Sequence, residues 1–315
     1  MPTTILASRY NTLRNDVNLV LGQSSSGTAD YGYGQGLNTS AKIATSDKVS
    51  AQDYEDLYID LIRARSHQVG AAVTIDEFVV GDYDTNTATA DKIEEAYIIG
   101  LESLATNLIT DRLLVDSNNL RLTNIPAASS TRLSSAGVWN GTISHIFTMT
   151  FTNAAARRHF FNSGSQIRLS ASVADAGSNI EANDWKSILN SMGSTSFNRT
   201  QTTNNAGIGS GSNIGYDDLT TSYQLIYSRT SSAVYATNEY RIFAAKQSTN
   251  AVIFKVEFFN GAATNPPYGI NEPVSGTFNS IVQAATADSS VTINGTAHDA
   301  VVLADPTGLT TRPLS

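Results

Sequence analysis

The chain has 315 residues, 41% of them hydrophobic and only 15% charged, against the roughly 25% charged that is usual for soluble domains, so Ser, Thr, Asn, Gly and Ala must cover much of the surface. A net charge of −8 with no Lys or Arg stripe lacks the cation density that a phosphate backbone requires, and no apolar run approaches the roughly 20 residues of a bilayer span, so neither nucleic acid nor membrane insertion is expected. The absence of cysteine removes disulfides, thiolate nucleophiles and Cys-based zinc sites together.

A chain of this length buries about three quarters of its unfolded surface, enough for one large domain or two modest ones. Its start, "MPTTILASRY", lacks the basic-then-apolar pattern of a secretory signal, so export by its own signal is not expected. Leu6, Tyr10, Leu13, Val17, Val20 and Leu21 recur every three or four positions and predict one helical face, closed by Gly22. The turn-rich stretch "QSSSGTADYGYGQGLNTS" follows. A second helix is announced by Ser50 as N-cap, Asp53 at the capping-box position and the stripe Tyr54, Leu57, Leu61 and Ile62, and it ends near Gly70. A third begins around Asp91 and carries Ile93, Tyr97, Leu101, Leu104 and Leu108, with Arg112 complementing its dipole.

After "NIPAAS" the apolar period falls to two. Ile143, His145, Phe147, Met149 and Phe151 alternate with less apolar neighbours, as do Ile167, Leu169, Ala171 and Val173. So do Tyr223, Leu225 and Tyr227, then Tyr240, Ile242 and Ala244, then Val252, Phe254, Val256 and Phe258. Strands with one buried face predict antiparallel sheets. Two short helices interrupt them, one at Asn153 to Asn162 and one near Asp184, capped by Asn183 or Asp184 and stopped by Gly193. "NRTQTTNNAGIGSGSNIGY" (198–216) lacks periodicity and reads as a long mobile loop. The fold class is therefore α+β: a helical N-terminal assembly region at 1–120, then an antiparallel β-rich, sandwich-like domain at 121–315 with two inserted short helices.

"RRHFFNSGSQIRLSAS" at 157–172 poses the sharpest question, whether His159 centres a site or marks a joint between helix and strand. Ala154 to Ala156 favour a helix that Thr152 or Asn153 caps and Gly164 ends with a left-handed residue, so the joint is the expectation. At least one of Phe160 and Phe161 is expected in the core beneath the sheet, with the other covering its edge. His159 has no nucleophile or acid beside it in sequence. His67 in "SHQVG" reads as a helix cap, His145 lies on an apolar strand face, and with His298 no His-x-x-x-His or His-x-His pair forms. "GYGQGL" (32–37) and "GIGSGS" (207–212) lack the spacing and the following Lys of phosphate loops. Asp82, Asp84 and Asn86 imitate the start of a calcium loop, but Thr87 replaces its glycine and Ile93 its bidentate Glu. Asp217 and Asp218 read as a turn acid and strand cap, and the sequons at Asn38, Asn140, Asn198 and Asn294 arise readily from this composition. Tyr31 and Tyr33, set among glycines, either anchor a partner or pin their loop onto the core. No catalytic, cofactor-binding or metal-ligating residue is assigned, and no cofactor is expected.

Five stretches, "YGYGQ" (31–35), "HQVG" (67–70), "RHFFNSGSQIRLSAS" (158–172), "DWKSILNSMGSTSF" (184–197) and "LTTSYQLIYS" (219–228), resemble a family of virion structural proteins of marine tailed phages, cyanophage-like viruses especially. Members usually show Gly-Gly after Asn-Ser, whereas Ser165 follows Gly164 here; one left-handed residue suffices for the cap. The resemblance implies a non-enzymatic tail, tail-fibre or appendage component, made in the host cytoplasm and carried on the virion. Such a component works through homo-oligomeric self-association and contact with other virion proteins. The alternative is a receptor- or glycan-binding module in which loops such as 198–216 offer Asn, Thr and Tyr to host cell-surface sugar. An enzyme acting on glycans would need buried paired acids that the sequence does not advertise.

Overall fold

The computed structural model describes residues 7–22, 32–38, 42–44, 47–69, 95–116, 120–122, 128–261, 272–287, 292–293, 296–297 and 309–314. The fold is α+β, with helices first and two main antiparallel sheets after them. Two compact units emerge. The first comprises Met1–Arg121, Arg158–Ser165 and Thr286–Leu303, and the second Leu122–Arg157, Gln166–Ala285 and Ala304–Ser315. The stretch Arg158–Ser165 thus belongs with the helical unit, although chain order sets it among strands.

In the first unit, helices α1 (Ala7–Val20), α2 (Ala51–Val69) and α3 (Glu95–Thr110) meet along the stripes their spacing dictates. Tyr10, Leu13 and Val17 of α1, Tyr54, Leu57 and Leu61 of α2 and Ile98, Leu101 and Leu108 of α3 form one buried cluster. Both halves of the capping box are made: Ser50 N donates to Asp53 Oδ2 (2.7 Å) and Asp53 N to Ser50 Oγ (3.2 Å). Arg9 ties α1 to α3 through Glu95 and Glu102 at 2.6 and 2.5 Å. The positions expected to open α3, Asp91 and Ile93, and the Asp82–Asn86 loop lie outside the described residues, as do Gly70, Tyr31, Asn294 and His298.

The second unit contains β2 (Ala128–Arg132), β3 (Gly141–Thr150), β4 (Gln166–Ala174), β5 (Ser194–Phe197), β6 (Thr202–Asn204), β7 (Gln224–Thr230), β8 (Glu239–Ser248), β9 (Ala251–Asn260), most of β10 (Thr277–Ala287) and β13 (Leu309–Leu314). One sheet has the order β1-β10-β4-β5-β6, where β1 is Leu120–Leu122 and β2 also pairs with β10; the other runs β13-β3-β9-β8-β7. Strands β11 (Thr292–Ile293) and β12 (Thr296–Ala297) make a separate hairpin. The inner faces are joined by aromatic rings: Phe197 meets Phe254 edge-on at 5.3 Å, and Trp139, Trp185, Phe258 and Phe278 pack mutually at 5.0–6.3 Å. Each such pair contributes about 0.5–1.5 kcal/mol beyond area burial.

Four local expectations are corrected. Helix α5 spans Ile180–Asn190 rather than starting near Asp184, because Asn179, not Asn183 or Asp184, caps it by accepting from Ala182 N at 2.7 Å. The alternation Tyr223, Leu225, Tyr227 is broken by a bulge between Leu225 and Tyr227, which buries both Ile226 and Tyr227 and leaves Leu225 exposed. Phe160 and Phe161, in helix α4 (Ala154–Asn162), are both buried, edge to face at 5.1 Å, so the second ring is as enclosed as the first. Segment 198–216 is no featureless loop: it contributes β6 and two further bridges, Thr202 with Ser212 and Ser210 with Ser228.

Candidate functional site

Around His67 the first unit gathers residues from four separated stretches. The N–H groups of Tyr33, Gly34 and Gln35 donate to the carbonyls of Val20, Gly22 and Leu21 at 2.7, 3.0 and 2.9 Å, so the Tyr-Gly loop satisfies the C-terminal carbonyls of α1. Tyr33 is fully buried; its hydroxyl donates to Arg112 O (2.6 Å) and accepts from Gln68 Nε2 (3.0 Å), and burial pushes its pKa far up. Tyr33 therefore pins its own loop onto the core. His67 is also buried, and its Nε2–H donates to Ser163 O at 2.5 Å while its ring lies 5.0 Å from that of Tyr33. Burial lowers its pKa to about 4, so the imidazole is neutral. The cap reading of His67 is thus replaced by a cross-link to a carbonyl 96 residues away.

His159 lies against Gly34: a Cβ there would stand 1.9 Å from Nδ1, and φ is +79°. Burial, reinforced by the charge of Arg158, holds His159 down at about 4. Helix α4 is capped by Asn153, whose Oδ1 accepts from Ala156 N (2.8 Å), and ends at Gly164, φ +83°. Asn162 Nδ2 donates to Gly32 O at 3.2 Å. The cluster 157–164 is a joint, and its one histidine, His159, is a neutral packing group.

A pair of acids that the sequence analysis missed sits at the start of α5. Glu181 is fully buried; its Oε1 accepts from Asn238 Nδ2 (3.0 Å) and its Oε2 from Glu272 N (3.0 Å), while Glu272 Oε2 accepts from Glu181 N (2.8 Å) and Tyr235 Oη (3.0 Å). Burial raises the pKa of Glu181. Glu181 spends both of its oxygens, and Glu272 its Oε2, on fastening the loops at 235–238 and 272–274, and Glu181 has no exposed face for a substrate. No signal in the sequence marks this pair, because its members lie 91 residues apart.

An open concavity exists elsewhere in the second unit. Ten residues between 201 and 213 line a cleft of about 400 Å³ whose walls carry amides, hydroxyls, glycine backbone and Ile208 and no charged side chain. Asn204 holds it: Nδ2 donates to Met192 O (2.9 Å), and Oδ1 accepts from Ala206 N (3.0 Å) and Ile208 N (3.2 Å). Thr202 Oγ1 donates to Ile214 O (2.8 Å). The glycines of "GIGSGS" permit close backbone approach, as a Cβ on Gly209 would come 2.4 Å from Tyr227 Oη and one on Gly211 2.3 Å from Thr202 O. Asp218 accepts from Gly215 N at 3.4 Å and so acts as a turn acid, whereas Asp217 forms an ion pair with Arg199 at 2.7 Å.

No protein-family model, curated protein or solved structure matches the chain. Among the described residues no group of acids and histidines is arranged to hold a metal ion, and no helix is long and apolar enough to cross a membrane.

Proposed function

We propose that this chain is a non-enzymatic structural component of a phage virion, part of a tail, tail fibre or other appendage, that works by self-association and by contact with neighbouring virion proteins. The observation that carries the reading is the outward face of β7-β8-β9. Tyr223 and Leu225 are 41% and 43% exposed there. Beside them Lys255 lies over the rings of Tyr223 (5.0 Å) and Phe243 (4.5 Å), and Arg241 over Phe259 (4.5 Å). Aromatic residues and arginine are enriched at protein interfaces. The same face balances its charges, with Arg241 on Glu257 (2.9 Å) and Glu239 (3.8 Å) and Lys255 on Glu257 (2.8 Å). A second copy of the chain meets such a face without net repulsion, and a stable contact would bury more than about 1,000 Å². The buried His67, bonded to Ser163 O, and the Glu181–Glu272 pair, bonded to the loops beside it, support the non-enzymatic part of the reading.

Light scattering after size exclusion tests it. A defined multiple of 33.5 kDa, or a polymer, is expected for the wild type, with dissociation on Leu225→Asp. A wild type that stays monomeric up to its solubility limit, or an assembly indifferent to Leu225→Asp, would overturn it.

A further inference from the structure

None of the residues that line the cleft between 201 and 213 is among those named on the assembly face, and its chemistry selects a different partner. We propose that it is a binding site for a neutral carbohydrate, a short stretch of uncharged polysaccharide such as coats a cell. Its volume of about 400 Å³ falls within the roughly 300–1,000 Å³ of small-molecule sites. The lining contains neither cation nor anion, so a phosphate, sulfate or carboxylate finds no counter-charge and a cationic ligand no acid. Beside Ile208 and glycine backbone, what remains are groups that both donate and accept, amides and hydroxyls, and these complement a ligand whose polar atoms are themselves hydroxyls.

The lining divides cleanly into residues already spent and residues still available. Asn204 and Thr202 are consumed in holding the loop, and Ser212 Oγ accepts from Ile214 N at 3.3 Å. Gln201, Thr203 and Asn213, also in the lining, are exposed, and among the described residues their side chains are held by no hydrogen bond. Gly207 and Gly209 keep the floor free of side chains, so a sugar ring can approach the backbone. The site is pre-formed: the bridges Thr202 to Ser212 and Ser210 to Ser228, with the Asn204 carboxamide beneath, fix the loop before any ligand arrives. Pre-organisation of this kind lowers the ordering cost that a weak polar ligand must otherwise meet.

The test uses the full-length protein on a printed array of neutral and acidic oligosaccharides, followed by titration of the strongest neutral hit while backbone amide NMR signals are observed. Saturable binding of a neutral oligosaccharide is expected, with shifts at Gly207, Gly209 and Gly211. The double substitution Thr203→Ala and Asn213→Ala, at exposed positions outside the loop's own bonding, should weaken it about tenfold or more with an unchanged unfolding midpoint. No neutral hit, binding confined to acidic glycans, or full affinity in the double variant would overturn the proposal. Because light scattering is insensitive to the cleft, failure here leaves the assembly reading intact, and the converse also holds.

Discussion

Lowering the pH should unfasten the first unit through His67. In the folded chain its pKa is about 4, against an ordinary value of 6.5, because burial penalises the imidazolium while Nε2–H donates to Ser163 O. A depressed folded pKa means that the stability is fully present above about pH 6.5 and is lost as the pH falls toward about 4, since only the unfolded chain takes up the proton in that window. At about pH 5 the unfolded imidazole is almost wholly protonated and the folded one hardly at all, which costs on the order of 2 kcal/mol relative to about pH 8, rising to roughly 3.4 kcal/mol below the folded pKa. The perturbation that isolates this residue is His67→Gln, which can still donate to Ser163 O and does not titrate. Urea unfolding followed by far-ultraviolet ellipticity at several pH values should show the wild type losing that amount more than the variant between about pH 8 and pH 5. Parallel stability curves for the two proteins would refute the reasoning, and so would an imidazole signal of His67 that titrates near its ordinary value.

Phe160→Ala and Phe161→Ala should each cost about 3–5 kcal/mol, since both rings are buried against each other; a denaturation midpoint unchanged in either would contradict the packing. Asn204→Ala should cost about 1–3 kcal/mol by stranding the N–H groups of Ala206 and Ile208 and the carbonyl of Met192, seen as faster amide exchange across 206–212. Asn179→Ala, which removes the cap of α5, should cost about 1 kcal/mol, read from the change in tryptophan emission on unfolding, as Trp185 lies on that helix. Glu181 carries the opposite pH sign to His67. Its raised pKa means that its contribution is present below the unfolded value and is lost as the pH rises through the folded one. Glu181→Gln should therefore flatten that loss of stability on raising the pH, and an unaltered pH profile would refute it.

Local pattern was enough wherever a residue's partner is a near neighbour in the chain. The stripes of α1, α2 and α3, the Ser50–Asp53 box, the alternation of β3 and the left-handed stop at Gly164 depend on spacings of two to four residues, and the sequence displays those directly. Where a partner lies far away, the tertiary structure decided. Helix α5 begins four residues before Asp184 because Asn179 caps it and Glu272 receives Glu181 N from 91 residues on. The bulge after Leu225 follows from the register that β8 imposes on β7. The same holds for the cleft: Asn, Thr and Gly between 198 and 216 announce a polar stretch, but only the bonds of Ser212 to β6 and of Ser210 to β7 turn that stretch into a closed sheet edge with a cavity beside it. The composition determined what chemistry this surface offers. Which side chains are spent on the fold and which are left for a ligand was decided by contacts between distant segments, because a hydrogen-bonding group satisfied inside the protein is no longer available outside it.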